Sequence, residues 1–104
     1  MRLPYQPTHP GELLLEEFLN PMGISQVDFA RHIGVSFKRI NEIVNGKRGV
    51  TPETALLFSQ AFGNTPQFWL NAQNTYDLAH CRRLADRPAV KRLRVHARPA
   101  MALS

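Results

Sequence analysis

Lys38, Asn41, Glu42 and Asn45 follow one another at intervals of three, one and three residues, the spacing that puts side chains on one face of a helix. These are groups that read base edges in a DNA major groove. An asparagine amide bonds adenine through two atoms, lysine donates to guanine, and glutamate accepts from the cytosine amino group. Phe37 and Arg39 fall on the flanks of that face, where the phenyl ring can lie against a thymine methyl. Ser36 is a helix N-cap, so the reading helix is expected from Phe37 to about Asn45, with Ile40, Ile43 and Val44 on the face opposite. A merely solvated helix face is also polar; two amides and an aromatic at the exposed positions favour recognition. Phosphate contacts should fix the helix in its groove. Gln26, opening an earlier helix after the N-cap Ser25, can donate beside free backbone N–H groups. Lys47 and Arg48 project from the loop NGKRGVTP that follows the reading helix.

No catalytic or metal-binding constellation competes with this. His9, His32, His80 and His96 are scattered, and only His80 and Cys81 are neighbours. Adjacent helical residues point about 100° apart, so they make a poor metal pair, and no CxxC or HxxxH supplies more ligands. Ser25 and Ser36 are accounted for as caps. The expectation is a protein that is not an enzyme and holds neither metal nor cofactor.

The elements that must position these side chains are legible around them. The run QVDFARHIGVSFKRINEIVN (26–45) has Ala30 where two helices cross closely, and Gly34 where the turn needs a left-handed backbone. Phe29, Ile33, Val35, Ile40 and Ile43 fill the inward slots, so seven specified positions agree with a helix-turn-helix. A helical hairpin of no special purpose is the plainer alternative. Upstream, Thr8, His9 and Pro10 open a first helix, GELLLEEFL, expected to stop before Pro21 and Gly23. Thr51 and Pro52 start a fourth helix that runs to about Phe62 and closes at Gly63. Thr65 and Pro66 start a fifth that runs to about Arg83. Val90 to Val95 could form a short strand or a helical turn. The reading is an all-α, five-helix domain of the lambda-repressor kind over residues 1–87, with a central helix-turn-helix, and a basic C-terminal tail over 88–104.

Composition suits one small domain: 104 residues, 43% hydrophobic and 20% charged. The net charge of +5 is unevenly placed. Residues 1–81 hold six Lys or Arg against seven Asp or Glu, and residues 82–104 hold seven against one. The tail would therefore add general affinity for polyanions, or simply keep the chain in solution. No apolar run is long enough for a membrane span, MRLPYQPTHP lacks the apolar core of a signal peptide, and the single Cys81 fits the cytoplasm.

The fifth helix carries two apolar stripes. Phe68, Trp69, Ala72, Tyr76 and Ala79 are expected to pack on the core. Leu70, Asn74, Leu78 and Cys81 form a second stripe, expected to make a two-fold homodimer contact on a pseudo-palindromic site. Packing of that stripe against the tail of the same chain is the alternative.

HPGELLLEEFLNPMGISQ, then INEIVNGKRGVTPETAL, then FGNTPQFWLNAQNTYDL resemble the HigA antitoxins, also called VapI-type proteins, of the Xre-like repressor superfamily. The resemblance covers about residues 8–80. It implies an all-helical dimer that represses its own operon and binds a HigB-like, RelE-like toxin that cuts mRNA on the ribosome. Leu15 and Leu57 depart from it, standing where the family often carries Arg or another polar residue; the tail after Arg87 lies outside it. A dense acidic cluster on the first helix, Glu12, Glu16 and Glu17, with a leucine beside it such as Leu13, would suit a cationic toxin. Acids near a helix N-terminus also favour its dipole with no partner at all. Three functions stay open: an antitoxin that is also a repressor, a stand-alone Xre-like regulator with no toxin, and a protein-binding module that no longer reads DNA.

Overall fold

A computed structural model of the chain describes residues 7–81 and 89–94. Five helices make up the first of these segments, and no strand is present among the described residues.

Helix α1 spans residues 10–22 and is not uniform. It opens as Pro10–Leu13, widens to π-helical turns over Leu14–Leu19, and tightens again over Asn20–Met22. The widening answers Pro21, which lacks an N–H and whose ring would press on the carbonyl one α-turn back. In the wide segment the Asn20 N–H reaches Leu15 O, five residues back, and the chain passes through the proline without breaking. The helix therefore does not stop before Pro21, as the sequence suggested; it ends at Gly23, whose φ is 68°. The wider turns also turn Leu14 and Leu19 toward one side, where both are fully buried.

The next two helices are α2 (Gln26–Ile33) and α3 (Phe37–Val44). Ser25 and Ser36 cap them, their hydroxyls accepting from Asp28 N and Arg39 N at 3.0 and 3.1 Å. Gly34 turns the chain between them with φ 82°. Ala30, almost fully buried, lets α2 and α3 approach, and its carbonyl takes both Gly34 N and Val35 N. Helix α4 (Pro52–Phe62) begins at the Thr51 cap, and α5 (Pro66–Cys81) begins where Thr65 Oγ1 accepts from Phe68 N at 3.1 Å.

The core sits where the five helices meet. Leu14, Leu19, Phe29, Ile40, Ile43, Ala55, Phe58 and Trp69 are closed to solvent. Aromatic rings knit it together: Phe29 stacks on Phe62 at 5.2 Å, and Phe58 meets Trp69 edge-on at 5.0 Å. The Trp69 indole N–H donates to Asn64 Oδ1 at 3.0 Å, so the largest core residue leaves no polar atom unpaired.

Residues 89–94 are exposed and have no regular structure, so neither the strand nor the helical turn considered for Val90–Val95 forms over them. Val95, the end of the fifth helix at Arg83, the 87/88 boundary, His96 and the rest of the tail lie outside the described residues. No helix among the described residues is long and apolar enough to cross a membrane.

Candidate nucleic-acid interface

Helix α3 exposes the face expected of it. Ile40 and Ile43 are fully buried, Lys38 and Asn45 are exposed, and Phe37 is 47% exposed at the helix start. The amides on that face form a relay. Asn45 Nδ2 donates to Asn41 Oδ1 at 3.1 Å, and Asn41 Nδ2 donates to Gln26 Oε1 at 3.1 Å. Gln26 is the first residue of α2, so the relay crosses from one helix to the other. The sequence placed Gln26 with phosphates and Asn41 with bases, and did not anticipate the bond between them. That bond holds the central amide in one orientation.

The charged residues divide into paired and unpaired. Arg48 Nη2 lies 2.8 Å from Glu42 Oε1, and its Nε donates to the same oxygen at 3.0 Å. The Glu42 carbonyl also accepts from Lys47 N and Arg48 N. Glu42, expected on the base-reading face, is thus engaged in folding the loop after α3. Arg39 leans to Glu53 at the start of α4, at 3.7 Å. Ser36 Oγ is committed to its cap. Lys38 and Lys47 have no ion-pair partner among the described residues. They remain the uncompensated positive charges beside the amide relay.

The loop itself is prefolded. Gly46 takes a left-handed backbone with φ 75° directly after the Asn45 C-cap, and its N–H donates to Ile43 O at 3.0 Å. At the far end, Val50 N–H donates to Gln73 Oε1 of α5 at 2.7 Å. Sequence reasoning missed Gln73. A signal was present, in that Gln73 falls beside Trp69 and Tyr76 on the core-facing side of α5, where a lone amide needs a partner.

HPGE at residues 9–12 supports α3 from behind. His9 is buried and caps α1, its Nδ1 accepting from Gly11 N at 2.8 Å, which fixes the proton on Nε2. Burial pushes its pKa below the usual imidazole value; Asp77 and then Glu12 oppose this, while His80 adds to it. Gly11 lies against the C-terminal end of α3 so closely that a Cβ there would overlap the Ile43 carbonyl.

Comparison with known proteins decides the family. Residues 15–69 match the helix-turn-helix family. Virulence-associated protein I of Dichelobacter nodosus is 53% identical over 70 residues, covering 67% of this chain and 65% of that protein. Antitoxin HigA-1 of Vibrio cholerae is 43% identical over 74 residues, covering 70% and 69%. The chain thus spans about two thirds of each of these relatives. The antitoxin GraA in complex with its operator superposes with a TM-score of 0.80 at 37% identity, covering 91% of this chain and 99% of GraA. The chain belongs to the HigA/VapI-type antitoxins of the Xre-like helix-turn-helix superfamily.

The sequence points to two other surfaces of this HigA-type chain. On α5, Asn74, Leu78 and Cys81 are exposed, Leu78 to 64%, but Leu70 is half-buried and packs on the core margin. Phe68, assigned to the core face, is 42% exposed at the domain's edge, its ring touching Phe18 and Trp69 edge-on. On α1, Glu16 and Glu17 are exposed and Glu12 is half-buried. Leu13, expected beside these acids as an exposed contact, packs against the core because the wide turns begin just after it. The half-buried Leu15 stands next to the exposed pair instead.

Proposed function

We propose that this protein is a repressor and antitoxin: as a homodimer it binds a pseudo-palindromic operator before its own gene, and it neutralises a HigB-like mRNA-cleaving toxin in the cytoplasm. The observation that carries the DNA half is the amide relay Gln26–Asn41–Asn45 with unpaired Lys38 and Lys47 beside it. It lies on a fold shared with GraA, a protein held in complex with its operator. Asn41 and Asn45 read adenines, Lys38 reads guanine or holds a phosphate, and Phe37 covers a thymine methyl. Gln26, Lys47 and Arg48 secure the backbone. Glu42 acts one step removed, by setting Arg48 in place, and Arg39 and Ser36 act through the placement of α3.

Dimerisation through Asn74, Leu78 and Cys81 is supported by Leu78, an apolar side chain left 64% exposed on α5. The toxin half is supported by the relationship to HigA-1; Glu16 and Glu17 on α1, with the half-buried Glu12 and Leu15 beside them, are its contact surface. A toxin-free regulator would share every DNA-side feature. The two are separated by expressing the small reading frame beside the gene, alone and then with this chain. Growth arrest relieved by this chain, with copurification, is the expected result. Arrest without relief, or no arrest at all, leaves the regulator.

DNA binding should weaken steeply with salt, and Lys47→Ala should reduce the slope of log K against log salt by about 0.9 while sparing sequence preference. A slope unchanged by that substitution removes Lys47 from the phosphate contacts.

A further inference from the structure

We infer that Gln73, far from the reading helix in sequence, is a positioning residue for DNA binding, and that through it α5 sets the geometry of the loop carrying Lys47 and Arg48. The inference rests on the DNA-binding reading above and adds a residue and a coupling to it.

Val50 is almost wholly buried, and its backbone N–H points out of the loop with no helix partner. A buried N–H left unpaired is costly, so the group that accepts from it decides where the loop can settle. That group is Gln73 Oε1, at 2.7 Å. A glutamine amide can present either its oxygen or its nitrogen, and only the oxygen serves here. Asp77, one turn on, resolves the choice by accepting from Gln73 Nε2 at 2.9 Å. The amide also lies flat against Gly49, where an added Cβ would stand 3.1 to 3.2 Å from three of its atoms. The loop is therefore gripped at both ends, by Glu42 through Lys47 N and Arg48 N and by Gln73 through Gly49 and Val50. Between the two grips stand the cations that meet phosphate. Because the second grip belongs to α5, any change in how α5 sits is passed to the phosphate contacts without touching the bases.

Gln73→Met keeps the packing on Gly49 and removes the acceptor, so it separates positioning from bulk. The probe is a duplex selected from random sequence by the wild-type chain. With Gln73→Met, affinity for that duplex should fall about tenfold, with the ranking of base-substituted duplexes preserved. Exchange of the Val50 amide hydrogen should rise about tenfold while amides in α4 keep their protection. Lys47→Ala added to Gln73→Met should cost less than it does alone, because the misplaced lysine has already lost its phosphate. The paired swap Gln73→Glu with Asp77→Asn keeps an oxygen for Val50 and reverses the second bond, so it should restore both readouts. Wild-type affinity in Gln73→Met, full additivity with Lys47→Ala, or no rescue by the swap overturns the inference. A wild-type chain that selects no duplex overturns the DNA reading itself, and Gln73 with it.

Discussion

On α3 nearly every polar group that meets solvent is tied to another: Asn45 to Asn41, Asn41 to Gln26, Arg39 to Glu53, and Glu42 to Arg48. On the outer stripe of α5, the side chains of Asn74, Leu78 and Cys81 make no hydrogen bond or ion pair among the described residues. On the proposed function, the contrast follows from what each surface would meet. A DNA groove is polar and wet, and side chains that must search for their geometry lose affinity to ordering, so fixing them in advance retains binding energy. An apolar stripe has no geometry to fix; burying it needs only a matching apolar surface. One face is thus prepared by polar contacts made within the chain, and the other by leaving an apolar residue uncovered.

The sharpest way to break the prepared face is from behind. Gly11→Ala drives a methyl into the Ile43 carbonyl, backbone against backbone, where neither side can yield cheaply. The cost should be about 3 kcal/mol, lowering the thermal midpoint by roughly 15 °C in a domain this small. A melting curve that matches the wild type would mean α1 is not seated on α3 as described. Next in size is Asn41→Ala, which removes a base contact and both relay bonds together. Specific binding should weaken by about 1–3 kcal/mol while non-specific binding is unchanged. Because the relay couples the two residues, Gln26→Ala should cost less in the Asn41→Ala background than alone. Equal loss on specific and non-specific duplexes would move the reading face elsewhere.

The other side of the comparison predicts a change in assembly with little change in fold. Leu78→Ala trims an exposed side chain, so the melting of the monomer should barely shift. The dimer should dissociate roughly tenfold more readily in sedimentation equilibrium. An unchanged dimer constant would free the stripe from the interface.

What could be read in advance divides along similar lines. Periodicity, caps and the Gly34 turn placed α2 and α3 within a residue or so, because those signals are local: a serine caps whatever helix follows it, and a glycine takes φ 82° without help. The fate of α1 was not local. Whether Pro21 ends a helix or is absorbed by a wider turn depends on Leu14 and Leu19 both needing the core, and hydropathy alone does not reveal that. Site residues follow the same rule. The face holding Lys38, Asn41 and Asn45 came from the helical step. The engagement of Glu42 with Arg48 depends on how the loop folds back, six residues on. Gln73 and Val50 are 23 residues apart, and nothing in the spacing pairs them. Family resemblance reached residues that periodicity could not: HPGE and FWLNAQ, distinctive as strings, prove to be the cap that seats α1 on α3 and the segment that grips the loop.

The smallest expected effect is a pH dependence, and it tests whether the support behind α3 is as polar as the face in front. His9 holds the start of α1 only while its Nδ1 is an acceptor, and a proton on that nitrogen ends the bond to Gly11 N. Burial lowers the folded-state pKa below 6.5, so the unfolded chain takes up the proton first as pH falls. The stabilisation is therefore complete above that value and is lost progressively as pH drops from there toward the folded-state pKa. The carboxylates of Asp77 and Glu12 soften this by favouring the imidazolium; His80 works the other way, and Tyr76 faces the ring edge-on at 4.7 Å. His9→Asn supplies a side-chain oxygen that caps without titrating. Thermal midpoints recorded between pH 7.5 and pH 5.5 should fall for the wild type and fall less for His9→Asn. Parallel curves would assign the acid sensitivity to another group and leave His9 as packing alone. Because Gly11 and His9 act on the same helix end, a flattened curve would also tie the acid sensitivity to the contact that seats α1 against α3.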